Sequence, residues 1–396
     1  MHLKGAKMAG VLTEIAVAGR LAGKVLARRL RGEMEASPDL EAFSLGINDI
    51  LDRAPAGLIN EHAWLRVPAN EPPWVTSDIN LALGDQVSCF SEGRVYVNTL
   101  LDIRCPLSLQ IWSKVGDGDI FRGTQNSHSF VSSDEGNLQF GNYFPNDWET
   151  PQGARQQDDT VYASASGESL ILIIHWAVPA LEGLQSLLEV GDYNSRFQDE
   201  ISRIERGSTT PEGWDYLWHI GPADIYQEGK TGEGNACIHC KTHGDTGILQ
   251  KKVDLPLLEN SEVSWRWCVD QLPSPLREDT LPTHDYLSIA VEFENGRDIT
   301  YYWSSKLAVG TGYDCPLPNW RGKEYHVAIR SGTDGLGEWQ SERRNLYDDY
   351  KQYMGEPPAR IVKIWLIANS IFQRNTGVCD YTDILLHDGD EITRVL

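Results

Sequence analysis

The chain has 396 residues, and its 35 Lys and Arg against 57 Asp and Glu give a formal charge of −22. Thirteen Trp and 15 Tyr exclude a natively unfolded acidic chain. The acidic balance excludes a general nucleic-acid binder, because phosphate contacts need clustered Lys and Arg. We therefore expect a small ligand rather than a polyanion, in a chain long enough for two or three domains.

The cysteines indicate a reducing compartment. Their number is odd, their spacing is irregular, and the first residues do not have the segments of a signal peptide in order. No apolar run approaches the ~20 residues that a membrane span needs. We expect a cytoplasmic protein. The cysteines concerned are Cys89, Cys105, Cys237, Cys240, Cys268, Cys315 and Cys379.

Residues 1–31 are basic, with seven Lys and Arg against one Glu. At 100° per residue an apolar stripe and a basic stripe fall on opposite helix faces: Val11, Ile15, Ala18, Ala22 and Val25 against Arg20, Lys24, Arg28 and Arg31. The apolar stripe is rich in Ala and lacks the aromatic anchors of membrane-surface helices. We expect this helix to dock on the protein body or to form a homo-oligomer contact, without membrane association. A second helix is predicted at Leu40–Leu51.

Short β-branched and aromatic runs between turn residues predict a β-sandwich or jelly roll over residues 58–178. The predicted strands are Ala63–Val67, Gln86–Cys89, Arg94–Leu100, Leu107–Lys114, Ser127–Val131, Asn137–Asn142 and Glu168–Trp176.

A helical pattern returns in the segment 179–211, and a second sandwich is predicted over residues 212–396. Its strands are Cys237–Thr242, Gly247–Val253, Val263–Val269, Tyr286–Phe293, Ile299–Ser304, Tyr325–Arg330, Ile361–Asn369 and Tyr381–Leu386. One helix, Gly337–Met354, interrupts them. The predicted fold is mainly β: two jelly-roll-like sandwiches, an N-terminal helical segment over 1–55, and a helical bridge.

The first sandwich carries the stretches Leu109–Ile120, Ser129–Phe130 and Gly136–Trp148. Together they resemble the bacterial galactophilic lectins and the related galactose-binding-like jelly rolls. In those lectins a calcium ion, held by a loop rich in Asp, Asn and Thr, bridges the protein and two sugar hydroxyls. The corresponding loop here is Asn142–Trp148, and Tyr143 replaces the acidic ligand expected ahead of the proline. The oxygen donors that remain, Asn142, Asn146, Asp147 and Glu149, imply at most weak calcium binding.

The second sandwich also resembles a known family over residues 212–390. Its phrases Trp265–Asp270, His284–Phe293, Tyr301–Ser305 and Ile361–Asn369 are similar to a bacterial domain family of unknown function, which has a Trp-Arg-Trp strand and a Tyr-x-Trp-Ser strand. The resemblance implies a carbohydrate-binding-module-like or concanavalin-like sandwich and no assigned activity. Where that family tends to have a doubly acidic turn, this chain has Thr283-His284-Asp285, which adds a group that titrates near neutral pH.

Side-chain alternation places polar residues on the non-core face of the second sandwich: Arg266, Ser288, Glu292, His326 and Arg330. We predict an acid–base site there. Its catalytic residues would be His284, His326, Asp285 and Glu292. Its substrate-binding residues would be Arg266, Arg330, Tyr302 and Trp303. The alternative is a solvated sheet face with ordinary salt bridges.

Four candidate zinc ligands fall within seven residues: Cys237, His239, Cys240 and His243. Cys237 and His239 would share one face of a strand while Cys240 faces away, so one ion cannot easily collect them all. We therefore predict no metal and no cofactor beyond weak calcium.

Two functions remain open. The first is an intracellular enzyme that acts on a small, partly apolar molecule by cofactor-independent acid–base chemistry, of the lyase, hydratase, cyclase or hydrolase type. The second is a non-catalytic carbohydrate-binding or assembly protein with two lectin-like modules. The absence of a predicted export signal favours the enzyme, and the fold resemblance favours the carbohydrate binder.

Overall fold

The computed structural model describes residues 2–71, 74–144, 147–389 and 391–396, and its side chains from residue 13 onward. The α-helices of these ranges are α1 His2–Leu30, α2 Leu40–Leu51, α3 Leu107–Gln110, α4 Ala180–Val190, α5 Arg196–Arg206 and α6 Leu346–Tyr353. The chain divides into two compact units. The N-terminal unit comprises Val25–Ser208 and Trp218–Pro222, and the C-terminal unit comprises Met1–Lys24, Thr209–Leu217 and Ala223–Leu396.

The strands of the N-terminal unit are β1 Ile59–Pro68, β2 Val75–Leu81, β3 Gln86–Asn98, β4 Ile103–Cys105, β5 Ile111–Val115, β6 Ser127–Val131, β7 Gly136–Asn142 and β8 Ser166–Trp176. They form a five-stranded sheet, in the order β1-β8-β3-β4 with β6 beside β3, and a three-stranded sheet, β2-β7-β5. All pairs are antiparallel. This is the predicted sandwich.

Strand β8 is apolar on both faces because it lies between two cores. Ile171 and Ile173 pack toward the three-stranded sheet with Phe140. Leu172 and Ile174 pack on the other face, against the helices α2, α4 and α5. A strand buried on both faces needs a continuous apolar run rather than an alternating one, which is the pattern seen here.

The strands of the C-terminal unit are β9 Asp215–Tyr216, β10 Tyr226–Lys230, β11 Ala236–His243, β12 Thr246–Pro256, β13 Ser261–Gln271, β14 Tyr286–Phe293, β15 Asp298–Ser304, β16 Gly312–Asp314, β17 Glu324–Ser331, β18 Trp339–Asn345, β19 Arg360–Asn369, β20 Thr376–Asp388 and β21 Glu391–Arg394. A seven-stranded sheet has the order β16-β17-β15-β14-β19-β12-β9. A six-stranded sheet has the order β10-β11-β20-β13-β18, with β21 beside β20.

The large aromatic residues of the second sandwich fill the core between its sheets. Trp265 and Trp267 come from the six-stranded sheet, and Tyr301 and Trp303 come from the seven-stranded one; all four are at most 1% exposed. Trp265 stacks on Tyr301 at 5.7 Å between ring centroids. The mainly β prediction with two sandwiches, an N-terminal helix and a helical bridge is thereby confirmed.

The predicted helix Gly337–Met354 is wrong in its first half. Trp339–Asn345 is the strand β18, which pairs antiparallel with β13, and only Leu346–Tyr353 is helical. The charged residues of β18 find partners across the sheet, as in the ion pair of Arg343 with Glu262. Asn345 ends the strand and caps α6 by accepting the backbone N–H of Asp348 at 2.8 Å.

Smaller differences concern element boundaries. The predicted strand Leu107–Lys114 begins with the helical turn α3 and is extended only from Ile111. The two predicted strands between Gln86 and Leu100 are one strand, β3, which turns at Gly93 with φ +146°. In the described part of the chain, no helix combines the length and apolar character that crossing a membrane requires.

Candidate functional site

The strands that were predicted to share a polar face lie side by side. β17, β15 and β14 are neighbours in the seven-stranded sheet. His326, Tyr302 and Ser288 point away from the core, and each is fully buried. The His284 ring, from the turn before β14, and the Tyr313 ring, from the edge strand β16, contact His326 on this outer face. The face is therefore a closed polar layer rather than an open cleft.

His284 and His326 meet in this layer, with ring centroids 4.7 Å apart. His284 Nδ1 donates a hydrogen bond to the backbone carbonyl of Glu278 at 2.6 Å, so Nε2 carries the lone pair. Burial, together with the nearby His326, lowers the pKa of His284 to about 3. At neutral pH the His284 ring is uncharged and shielded from solvent.

Two residues that the sequence did not single out complete the group. Cys315 Sγ lies 3.4 Å from His284 Nε2, and Glu324 Oε1 lies 3.3 Å from His326 Nε2. One donor atom from each of these four side chains falls within 4.8 Å of the others. We call His284, Cys315, Glu324 and His326 the His–Cys–Glu cluster. The sequence held one usable signal, because Glu324 and His326 are two apart on a strand and share a face.

Aromatic and hydroxyl side chains surround the cluster. Tyr286 Oη donates to Glu324 Oε1 at 3.0 Å, and Thr300 Oγ1 lies 3.2 Å from the same oxygen. Tyr302 and Tyr313 contact the His326 ring edge-on and face-on, respectively. Burial acts to raise the pKa of Glu324, but the contact with His326 outweighs it and the pKa is lowered. Glu324 is thus a buried carboxylate.

The other two predicted catalytic acids lie outside the cluster. Asp285 accepts the backbone N–H groups of Phe372 at 3.0 Å and Gln373 at 2.7 Å, so it fixes a turn. Burial raises its pKa to about 7, against the lowering effect of these hydrogen bonds. Glu292 forms an ion pair with Lys363 at 2.8 Å between β14 and β19.

The predicted substrate-binding residues are also dispersed. Arg266 belongs to the six-stranded sheet, where it lies near Asp383. Arg330 pairs with Glu342 and stacks on the Trp303 ring. The indole of Trp303 is in the core between the sheets and donates to the carbonyl of Gly332 at 2.9 Å. Of the eight predicted site residues, the structure brings together His284, His326 and Tyr302.

The sequence cluster around Cys237 is not gathered into a single site. His239 Nδ1 lies 2.7 Å from Asp380 Oδ1, and His243 Nδ1 lies 2.9 Å from Thr376 Oγ1. Cys240 is fully buried, and burial raises the pKa of its thiol. These separate partners agree with the strand-alternation argument.

The lectin-like loop of the N-terminal unit uses its polar side chains internally. Asp147 accepts hydrogen bonds from Tyr162 Oη at 2.7 Å and from the backbone N–H of Gln157 at 3.2 Å. Asn142 donates to the carbonyl of Val67 at 2.8 Å. Asn146, another of the four expected calcium donors, lies outside the described residues. Two of the expected donors are therefore already hydrogen-bonded to the protein.

An open groove lies at a loop end of the C-terminal sandwich and has a volume of about 480 Å³. Its exposed polar side chains lie at the ends of β11 and β13 and in three loops: His243, Asp270, Gln271, Lys306, Thr333 and Asn375. Apolar contacts are available from Leu272, Pro275 and Leu336. We call this feature the polar groove. Sequence reasoning missed it because its residues are far apart in the chain.

A protein family model described as "Protein of unknown function (DUF3047)" matches residues 222–385. This confirms the predicted resemblance of the second sandwich to a family of unknown function. No curated protein shows significant sequence similarity to the chain.

Similar solved structures include lectins and carbohydrate-binding modules. A PllA-like lectin, the EclA N-terminal domain, is 13% identical with a TM-score of 0.23, over 31% of this chain and 99% of that chain. A carbohydrate-binding module, TmCBM61 in complex with β-1,4-galactotriose, is 9% identical with a TM-score of 0.24, over 46% and 92%. The xyloglucanase domain of NopAA from Sinorhizobium fredii is 10% identical with a TM-score of 0.28, over 48% and 97%. At these TM-scores the likeness carries no argument for function.

Proposed function

We propose that the C-terminal unit is a non-catalytic carbohydrate-binding module and that the polar groove is its ligand site. The groove carries the proposal because it is open, about 480 Å³ in volume, and lined by amide, hydroxyl and charged side chains beside apolar ones. Sugars present hydroxyl groups to such polar partners and C–H faces to apolar ones. A pocket with a few placed polar groups beside apolar contacts is the usual form of a small-ligand site.

The charges of the groove favour a neutral ligand. Asp270 supplies the carboxylate and Lys306 the ammonium group of its lining, which also includes His243, and the formal charges of Asp270 and Lys306 cancel. A polyanion would find no basic cluster there, and the chain's charge of −22 would repel it. A neutral polyhydroxylated molecule needs no basic cluster and is not repelled by the negative charge of the chain.

The same lining favours binding over hydrolysis. Glycoside hydrolysis uses a pair of carboxylates, one on each side of the scissile bond. Asp270 is the one carboxylate among the lining residues of the polar groove. The acid–base enzyme alternative needs His284 or His326 to reach a substrate, and both rings are fully buried. The carbohydrate-binding function therefore accounts better for the geometry.

Calorimetric titration with neutral β-1,4-linked gluco-, galacto- and xylo-oligosaccharides tests the proposal. We expect at least one series to bind, and the double variant Gln271→Ala/Asn375→Ala to weaken that binding about tenfold, which corresponds to about 1.4 kcal/mol. Gln227→Ala on β10 is the matched control, since Gln227 is exposed and remote from the groove lining. Binding that the double variant leaves unchanged, or no binding at millimolar sugar, would overturn the proposal.

A further inference from the structure

We propose that the His–Cys–Glu cluster is a site for one tetrahedrally bound divalent transition-metal ion, with zinc the metal that its ligands favour. The ligands are His284, Cys315, Glu324 and His326, all buried, with one donor atom each inside a 4.8 Å span. The inference does not depend on carbohydrate binding, and it replaces the sequence-based expectation that the protein holds no metal.

Two of the donor-atom separations in the cluster match those of a tetrahedral zinc site. Zinc lies about 2.0 to 2.2 Å from nitrogen and oxygen ligands and about 2.3 Å from sulfur, so tetrahedral ligand pairs are about 3.3 to 3.6 Å apart. The observed separations are 3.4 Å between Cys315 Sγ and His284 Nε2 and 3.3 Å between His326 Nε2 and Glu324 Oε1.

The cluster is oriented for a metal by its surroundings. His284 donates Nδ1–H to the carbonyl of Glu278, which leaves Nε2 to act as a ligand. In a metal-binding histidine, the ring nitrogen that does not bind the metal usually donates a hydrogen bond to a carbonyl, a carboxylate or water. His326 Nδ1 has no hydrogen-bond partner in the described structure, and the contact of Nε2 with Glu324 Oε1 at 3.3 Å does not have hydrogen-bond geometry, although the ring is fully buried. A buried ring nitrogen without a hydrogen bond is costly, and a metal bond at Nε2 would satisfy that nitrogen.

The charge balance points to a dication. The ion pair found for Glu324 within the described residues is with His326, and Glu324 also accepts hydrogen bonds from the neutral hydroxyls of Tyr286 and Thr300. A buried carboxylate requires compensation. A divalent ion bound by the Glu324 carboxylate, a Cys315 thiolate and two neutral imidazoles makes the site formally neutral. Calcium and magnesium prefer all-oxygen sites, whereas sulfur and imidazole together favour zinc.

The position of the site indicates a structural role. Its ligands come from three segments: the turn before β14, the residue after β16, and β17. A bound ion would link the turn before β14 and the residue after β16 to strand β17. Four protein ligands leave no open coordination position, which distinguishes structural zinc from catalytic zinc.

Elemental analysis of the full-length protein, expressed in zinc-supplemented medium and purified without chelator, tests this proposal. We expect about one zinc per chain, and about one-tenth of that or less in Cys315→Ser. Cys379→Ser is the matched control, because Cys379 is equally buried but lies outside the cluster; it should keep its zinc.

Cobalt substitution of the wild-type protein gives an independent measurement, which remains decisive if Cys315→Ser fails to fold. After zinc removal and Co²⁺ addition, the expected spectrum shows tetrahedral d–d bands and a thiolate-to-cobalt charge-transfer band. Wild-type protein with no stoichiometric metal and no cobalt bands would overturn the proposal. Equal zinc contents in Cys315→Ser and wild type would also overturn it.

Discussion

The phenol ring of Tyr313 lies parallel to the imidazole of His326, with centroids 5.1 Å apart and planes 6° apart. The two residues are register partners on β16 and β17. Because β16 is the edge strand of the seven-stranded sheet, the half-buried Tyr313 ring covers the side of the His–Cys–Glu cluster nearest that edge. One aromatic ring on a three-residue strand thus shields a group of buried polar residues.

Tyr313→Ala should destabilise the C-terminal unit by about 2 to 3 kcal/mol, since the substitution removes a packed ring and admits water to the cluster. Tyr313→Phe keeps the stacked ring and should cost less than about 1 kcal/mol. Denaturant unfolding followed by tryptophan fluorescence measures both values. Equal losses for the two variants would show that the hydroxyl, and not the ring, is the important group.

Gly183→Ala should destabilise the N-terminal unit although alanine favours helices. An added Cβ at Gly183 would lie 2.3 Å from Cε3 of Trp176, which is fixed in the core. Overpacking costs about 1 to 3 kcal/mol, against a gain of up to about 1 kcal/mol in helix propensity. Gly23→Ala in α1 is the control, because its Cβ would meet no atom within 4 Å. Thermal unfolding should show a lower midpoint for Gly183→Ala and no lowering of the midpoint for Gly23→Ala.

The N-terminal unit should lose stability as the pH falls from 7 to 5. Burial, together with Arg203 and Arg122, lowers the pKa of His128 to about 4, although Glu200 acts to raise it. The unfolded chain binds a proton at this histidine near pH 6.5. Between pH 6.5 and 4 the unfolded state therefore holds more protons, and acidification favours it. Because the ring is partly exposed, we expect His128 to account for about 1 to 2 kcal/mol of the loss.

The variant His128→Gln isolates this contribution. Chemical denaturation of wild type and variant at pH 7 and pH 5 gives the difference directly, since the other titrating groups are common to both proteins. We expect the variant to lose less stability on acidification. An identical loss of stability in both proteins would assign the pH dependence to titrating groups other than His128.

Residues 25–35 should anchor the N-terminal segment on the first sandwich. The Glu35 carboxylate pairs with Arg94 Nη2 at 2.9 Å and with Arg104, and these guanidinium groups are only 10% and 12% exposed. Arg29 also donates to the carbonyl of Thr99 at 2.5 Å. Deleting residues 1–35 should therefore lower the stability of the N-terminal unit, by about 1 to 3 kcal/mol.

Deletion of residues 1–24 is the control for this experiment, because it keeps Glu35 and should leave that stability nearly unchanged. Anionic vesicles should not co-sediment the intact protein, and sedimentation of both forms tests the homo-oligomer alternative. Vesicle binding that disappears with residues 1–35 would instead assign the basic helix to a membrane surface.

Calcium should have little effect on the N-terminal unit. Asp147 already accepts hydrogen bonds from Tyr162 and Gln157, and it lies 3.7 Å from Arg155. An ion would have to displace these partners. We expect millimolar Ca²⁺ to shift the thermal midpoint by less than about 2 °C, which corresponds to under about 1 kcal/mol for a domain of this size. A larger rise that EDTA reverses would establish a calcium site.

The sequence alone determined the fold class and most of the strands. Strand propensity and alternation are local properties, and the strands Tyr286–Phe293 and Ser127–Val131 were predicted at their observed bounds. Helix Leu40–Leu51 was also predicted at its bounds, because its apolar residues have helical spacing. Strand β18 was not recognised, since its charged residues take their structure from pairing with β13.

The tertiary structure decided which residues meet. The sequence singled out His284 and His326, but Cys315 and Glu324 join them only because an edge strand and the first residue of β17 fold to the same place. Alternation alone makes Arg266 equivalent to Ser288, yet β13 belongs to the opposite sheet. Alternation fixes which face of a strand a side chain occupies, whereas strand order depends on the packing of distant segments. That packing gathered four buried ligand-type side chains and left the predicted arginines elsewhere.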